Sequence, residues 1–156
     1  MPHHSAQQRR HRWIACAAAG WALVFAAFHL VWAAGWYIGL DPDQARVAFA
    51  KPAFLIYDLV VAVMCIVAVP VALALGMPWG ERLPRRLLLT VAWIGTTLLV
   101  LRSVGSMMQG VYEVTIGRFT LGRMGIWEPW FYLGAVLFAV NLWLFRHRSR
   151  EPLPTP

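Results

Sequence analysis

Read as a pattern of apolar and polar positions, the chain is four long apolar runs separated by short polar connections. The runs cover 13–36, 53–75, 87–108 and 130–145. At a rise of about 1.5 Å per residue, the first three each cross a hydrocarbon core of about 30 Å, and the fourth does so when it starts near Pro129. A helix satisfies its own backbone where no water is at hand, so runs of this length predict membrane-spanning helices. The fold class is therefore all-α: a polytopic membrane protein built as a four-transmembrane-helix bundle.

The connections carry their own signals. After the first run, Asp41 reads as an N-cap, Pro42 as the first helical residue and Gln44 as the return partner of a capping box, which predicts a short interfacial helix ending near Phe49. The connection 111–125 alternates polar and apolar residues between glycines and predicts a small hairpin or re-entrant flap. Glu128 and Pro129 open the last helix, with the carboxylate at the positive end of its dipole, and Pro70 predicts a kink in the second. The chain divides into a basic N-terminal segment 1–12, a transmembrane domain 13–146 and a disordered tail 147–156, with no internal repeat.

Composition agrees: 60% of the 156 residues are hydrophobic and only 13% are charged, with a mean hydropathy of +0.57. The net charge of +7 raises the question of an anionic partner. Its distribution answers without nucleic acid. Arg9, Arg10, Arg12, Arg82, Arg85, Arg86, Arg146, Arg148 and Arg150 all fall on one side of the spans, whereas Arg46, Lys51, Arg118 and Arg123 balance Asp41, Asp43, Glu113 and Glu128 on the other. The positive-inside rule then puts both termini in the cytoplasm of a multi-pass protein of the cell (plasma) membrane, with the lipid bilayer as its partner. Trp13, Trp79 and Trp143 on one side, and Trp36, Tyr37, Trp127 and Trp130 on the other, suit headgroup depth. The first apolar run, about 24 residues against about 7 to 15 for a signal-peptide core, reads as a span. Cys16 and Cys65 stand alone without a C-x-x-C pair, so no disulfide framework or thiol redox centre is expected.

Arg102 breaks the third run, and it has company at its depth. Counting from the helix ends, Arg102 lies roughly 9 Å, His29 roughly 10 Å and Asp58 roughly 8 Å below the outer surface. Each shares a helical face with small residues: Ala15, Ala18, Ala22 and Ala26 lead to His29, and Ala62, Cys65, Ala68 and Ala72 follow Asp58. On the third helix the face is Gly95, Leu99, Arg102, Ser106 and Gln109. Small residues at this spacing mark close helix contacts in membranes, so all three polar groups are expected to point inward. An arginine at a helix centre costs about 2.5 to 3.5 kcal/mol on the insertion scale, and the nine Leu, Ile and Val residues between Leu87 and Leu101 return about 3 to 5. The expectation is an Asp58–Arg102 pair, joined by His29 and Ser106, with Glu113 and Glu128 as further partners of Arg102. Three outcomes are open: Arg102 snorkels to the outer headgroups, the cluster is a closed structural network, or it forms a functional pocket. His29 is read as a packed core histidine or as an acid–base group, Asn141 as a helix bridge near the other end, and Trp21 and Trp93 as core.

"FHLVWAAGWYIGLD", "LRSVGS" and "WEPWFYLG" together resemble a bacterial four-helix membrane family known as domain of unknown function 3995. The shared pattern matches His29, Trp32 and Gly35 on the first helix, Arg102, Ser103 and Gly105 on the third, and Glu128 to Trp130 before the fourth, and the likeness runs from Trp13 to Phe145. Members often carry an Asp shortly after the Arg-Gly element, where this chain has Ser106. The resemblance implies a fold and a membrane location and no established activity.

Two functional readings follow. In one, His29, Asp58, Arg102, Ser106, Gln109, Glu113 and Glu128 form a polar pocket lined by Trp32, Trp36, Tyr57 and Trp130, opening toward the outer leaflet. Arg102 would hold an anionic group such as a lipid phosphate, and His29 would move protons with Asp58 orienting it; carboxylates among aromatics could instead hold a cation. Four-helix sterol isomerases use a comparable mixture of residues, an analogy of composition alone. In the other, the chain is a structural or accessory subunit, homo-oligomeric or part of a membrane complex, whose polar layer fixes helix packing. No metal triad, nucleotide loop or nucleophile motif is present, so no metal and no cofactor is expected, and a channel lacks a pore lining.

Overall fold

The computed structural model describes residues 3–117 and 127–148. Among these, the helices are α1 (His3–Ala33), α2 (Pro42–Phe49), α3 (Pro52–Gly76), α4 (Arg85–Thr115) and α5 (Trp127–Arg148), with a 3-10 turn over Pro78–Arg82 between α3 and α4. Four stretches, Gln8–Ala33, Pro52–Gly76, Arg85–Thr115 and Glu128–His147, are long and apolar enough to cross a membrane.

The boundaries differ from the expected ones in three places. The stretch Val111–Thr115, expected in a hairpin or flap, continues α4. Gly110 lies inside a helix already propagating, where a glycine costs only about 1 kcal/mol, and local alternation over so few residues does not outweigh the continuing backbone bonds. The helix stops where Ile116 and Gly117 bond back to Tyr112 and Val114, with Gly117 at φ +67°. Residues 118–126 of that connection, including Arg118 and Arg123, lie outside the described residues. At the N-terminal end α1 begins at His3, within the expected basic segment 1–12. At the other end α5 runs to Arg148, two residues into the expected tail, and 149–156 lie outside the described residues. The bounds and the N-cap of the short helix are as the sequence predicts: Asp41 accepts from the backbone N–H groups of Asp43 and Gln44, and Pro42 occupies the first turn.

The tightest packing joins α1 to α3. Ala15, Ala18, Ala22 and Ala26 are buried along one face of α1, and Ala62, Cys65 and Ala72 along α3. At the end of this seam a Cβ added to Gly76 would stand 2.4 Å from the Cβ of Ala15. Side chains this small let two backbones approach until dispersion contacts run their whole length.

A Trp21-centred cluster holds α5 against α1. Its ring stacks on Trp130 at 6.0 Å, meets Phe138 edge-on at 6.0 Å and lies 5.2 Å from Phe25. Its Nε1 donates to the backbone oxygen of Trp130 at 2.9 Å. At the opposite end of the bundle, Ala74 and Leu75 of α3, Leu88 and Ala92 of α4, and Leu142 and Phe145 of α5 form a second cluster. Asn141, fully buried, bridges there by donating from Nδ2 to the carbonyl of Ala72 at 3.0 Å. Trp93, expected in the core, is instead exposed, with the Arg146 guanidinium 5.5 Å from its ring. This end carries exposed Arg9, Arg10, Arg12, Arg82, Arg85, Arg86 and Arg146; we call it the arginine-rich end, and the opposite one the far end.

Two helix glycines should answer oppositely to alanine. At Gly134 a Cβ would fall 2.3 Å from the Trp21 ring, so Gly134→Ala should lower stability by about 1–3 kcal/mol through overpacking. At Gly95 it would meet nothing within 4 Å, so Gly95→Ala should be neutral or stabilise by up to about 1 kcal/mol through helix propensity. Unfolding curves in mixed micelles, read by tryptophan fluorescence, measure both.

Candidate functional site

The α1–α3 seam ends, toward the far end, in a buried hydrogen bond. His29 Nδ1 and Asp58 Oδ1 are 2.6 Å apart, and the two residues are 7% and 2% exposed. The imidazole is fixed from the sides by Phe25 and Trp32, both edge-on, at 4.6 and 5.0 Å. Trp32 is held in turn by donating from Nε1 to the carbonyl of Ile38 at 2.9 Å. His29 Nε2 and Asp58 Oδ2 are covered and have no hydrogen-bond partner among the described residues.

Arg102 is bonded elsewhere. Its guanidinium donates to the Ser106 hydroxyl one turn along α4 and to Glu128 Oε1 of α5 at 3.4 Å, and it rests 4.4 Å from the centre of the Phe131 ring. The expected Asp58–Arg102 pair is therefore replaced by two pairs, His29–Asp58 and Arg102–Glu128. The cause is helix spacing. The short side chains of His29 and Asp58 meet because alanines bring α1 and α3 together, whereas α4 stands off from that seam. Glu128, at the first turn of α5, is the carboxylate that the guanidinium reaches. Its ion pair is loose and half open, the Arg102 side chain being 44% exposed and that of Glu128 22%.

What separates α4 from the seam is a cleft of about 310 Å3. Trp21, Phe25 and His29 of α1, with Phe131 and Phe138 of α5, form its floor; Tyr57, Met64 and Cys65 belong to its α3 wall, and Gly95, Leu98 and Arg102 to its α4 wall. The rims Tyr57 and Met64 on one side and Leu98 and Arg102 on the other are exposed, so the cleft opens sideways between α3 and α4. From the span of lining residues on each helix it runs roughly 10–16 Å along the bundle.

The remaining expected site residues divide. Ser106 is buried beside Arg102, and Tyr57 is on the cleft rim. Trp32 braces His29, and Trp130 stacks on Trp21, with its Nε1 buried and without a partner. Gln109 and Trp36 are exposed and do not line the cleft. Glu113 is half-buried, about 16 Å beyond Arg102 along α4. Among the described residues no group of three His, Cys, Asp or Glu side chains is placed to hold a metal ion. Sequence reasoning missed Phe25, Phe131, Phe138 and Gly95 as lining residues. For Phe131 a signal existed: it lies three residues after Glu128, so a carboxylate and a ring on one face of α5 both meet the guanidinium.

The two pairs should differ in worth. Asp58→Ala strands a buried imidazole and should lower stability by about 1–3 kcal/mol. Glu128→Gln loosens a half-open contact and should cost about 1 kcal/mol or less. Unfolding of the two variants side by side measures the contrast, and equal losses would contradict it.

Comparison with known proteins bears on the chain's family. No curated protein and no solved structure matches the chain. The profile of a family described as protein of unknown function, DUF3995, matches residues 22–138, which takes in His29, Asp58, Arg102 and Glu128. The chain belongs to that family.

Proposed function

We propose that this is an integral protein of the cell membrane, with the arginine-rich end and both termini in the cytoplasm, that binds a lipid-soluble small molecule or lipid in the cleft between α3 and α4. The observation that carries the reading is the cleft itself: an apolar slot, open sideways where a bilayer would lie, with a half-exposed guanidinium on its rim. The positive-inside bias supports the orientation. His29 enters as a packed floor residue and not as an acid–base group, because Asp58 holds Nδ1 and Nε2 is covered.

The second reading, a structural or accessory subunit, is favoured by the closed His29–Asp58 bond, which locks α1 to α3 without any ligand. The exposed apolar residues Met107, Met108, Val111 and Tyr112 beyond Arg102 would then meet a partner helix or a second copy of the chain.

Gly95→Leu separates the two readings. It puts a side chain into the cleft at a position where a Cβ meets nothing, so the variant should unfold as the parent does and lose the rise in melting temperature that an apolar ligand gives. If no apolar ligand shifts the parent's melting, the accessory reading stands. For orientation, a reporter active only in the cytoplasm should be active when fused at either terminus; activity at neither end would reverse the topology.

A further inference from the structure

Resting on the cleft as a ligand site, we propose that its occupant is a single-chain amphiphile with a compact anionic head. The hydrocarbon chain runs toward Trp21 and Gly95, and the head lies on Arg102. Depth, lining, size and charge each contribute to the choice.

Depth comes from the shortest span. Glu128–His147 is 20 residues, about 30 Å of helix, which is the thickness of a hydrocarbon core. A helix of that length has little to spare on either side of the core, so its first turn belongs near the far boundary. Glu128 lies at the far boundary and holds Arg102 there with it. The guanidinium stands at the level where lipid chains end and head groups begin.

Below Arg102 the lining changes character. Toward the arginine-rich end the cleft is bounded by Phe25, Phe131, Leu99, Cys65, Phe138 and the Trp21 ring. The indole N–H of Trp21 is already given to Trp130. That surface is almost wholly apolar, with the Cys65 thiol as its one weak donor, so a charged ligand group is accommodated at the mouth. A volume of about 310 Å3 is at the small end of ligand pockets, in keeping with one chain and not two.

Charge selects the head. A guanidinium has five N–H donors in a planar fork. Ser106 takes one, and the Glu128 contact at 3.4 Å is long for a charge-assisted bond. The Phe131 ring beneath holds the guanidinium in place while almost half of the side chain is open. A phosphate or carboxylate arriving along the cleft accepts two parallel bonds from this fork and displaces the loosely held Glu128.

Three compounds with a common chain test the proposal: hexadecyl phosphate, hexadecanol and dihexadecyl phosphate, each titrated into the full chain in phosphatidylcholine nanodiscs, with thermal melting as the readout. Hexadecyl phosphate should bind about 10-fold or more tightly than hexadecanol, the worth of a hydrogen bond to a charged group. It should also exceed dihexadecyl phosphate, whose second chain finds no room in the slot and must leave through its open side. Arg102→Gln should erase the preference for the phosphate, and Glu128→Gln, which removes the competing carboxylate, should strengthen it. Gly95→Leu should abolish binding of both single-chain compounds. Equal binding of hexadecanol and hexadecyl phosphate overturns the anionic head, as does a preference that survives Arg102→Gln or falls in Glu128→Gln. Equal binding of dihexadecyl phosphate overturns the single chain. Failure of all three compounds to bind, or binding untouched by Gly95→Leu, removes the cleft as a site and the proposal with it.

Discussion

The close approach of α1 to α3 is the constraint on which the rest of the bundle depends. Alanines on one helix and Ala62, Cys65, Ala72 and Gly76 on the other leave no side-chain bulk between the two backbones. In a membrane, where hydrophobic exclusion does not drive helices together, this fit is a main source of association. It also decides the chemistry at its end. An imidazole and a carboxylate, each with a short reach, come within 2.6 Å because the helices that carry them already touch. The bond then contributes to the seam that made it.

A seam this tight cannot be repeated on every side of a four-helix bundle. α5 meets α1 through the bulky rings of Trp21, Trp130 and Phe138, and α4 meets α3 closely only where Ala74, Leu75, Leu88 and Ala92 join. Toward the far end α3 stays with α1 while α4 stays with α5, and the cleft is the space left between the two pairs. Gly95 widens it, since a glycine on the α4 wall puts no side chain into the gap. The cavity thus follows from unequal side-chain sizes at the interfaces.

Much of this was legible in the sequence. Run length gives the four spans, the Asp41–Pro42 pair gives the start of α2, and the alanine spacing gives the seam together with the inward aim of His29 and Asp58. What periodicity cannot supply is which helices touch. Faces of α1, α3 and α4 all carry a polar residue at a similar depth, and nothing in the spacing says that α4 stands apart. The Asp58–Arg102 pairing failed for that reason. The extension of α4 through Val111–Thr115 was missed because an alternating stretch flanked by glycines looks like a strand to a local rule, whereas helix continuation is cooperative. The aromatic floor was invisible because Phe25, Phe131 and Phe138 are ordinary residues for a membrane helix and acquire meaning only from the gap that they border.

The contrast between the two ionisable pairs carries the last step. His29 and Asp58 are enclosed, short-bonded and braced by two rings, as expected of groups that stabilise packing. Arg102 and Glu128 are long-bonded and half open, at the mouth of an apolar slot. Were holding helices together the whole purpose of the polar layer, the second pair would gain from the same enclosure as the first, because a loose, exposed ion pair contributes little to stability. Arg102 joins α4 to α5 through Glu128 and Phe131, yet almost half of its side chain stays open. The open pair and the apolar slot lie side by side, and the proposed binding site rests on that adjacency, whereas the enclosed pair belongs to the packing of α1 on α3.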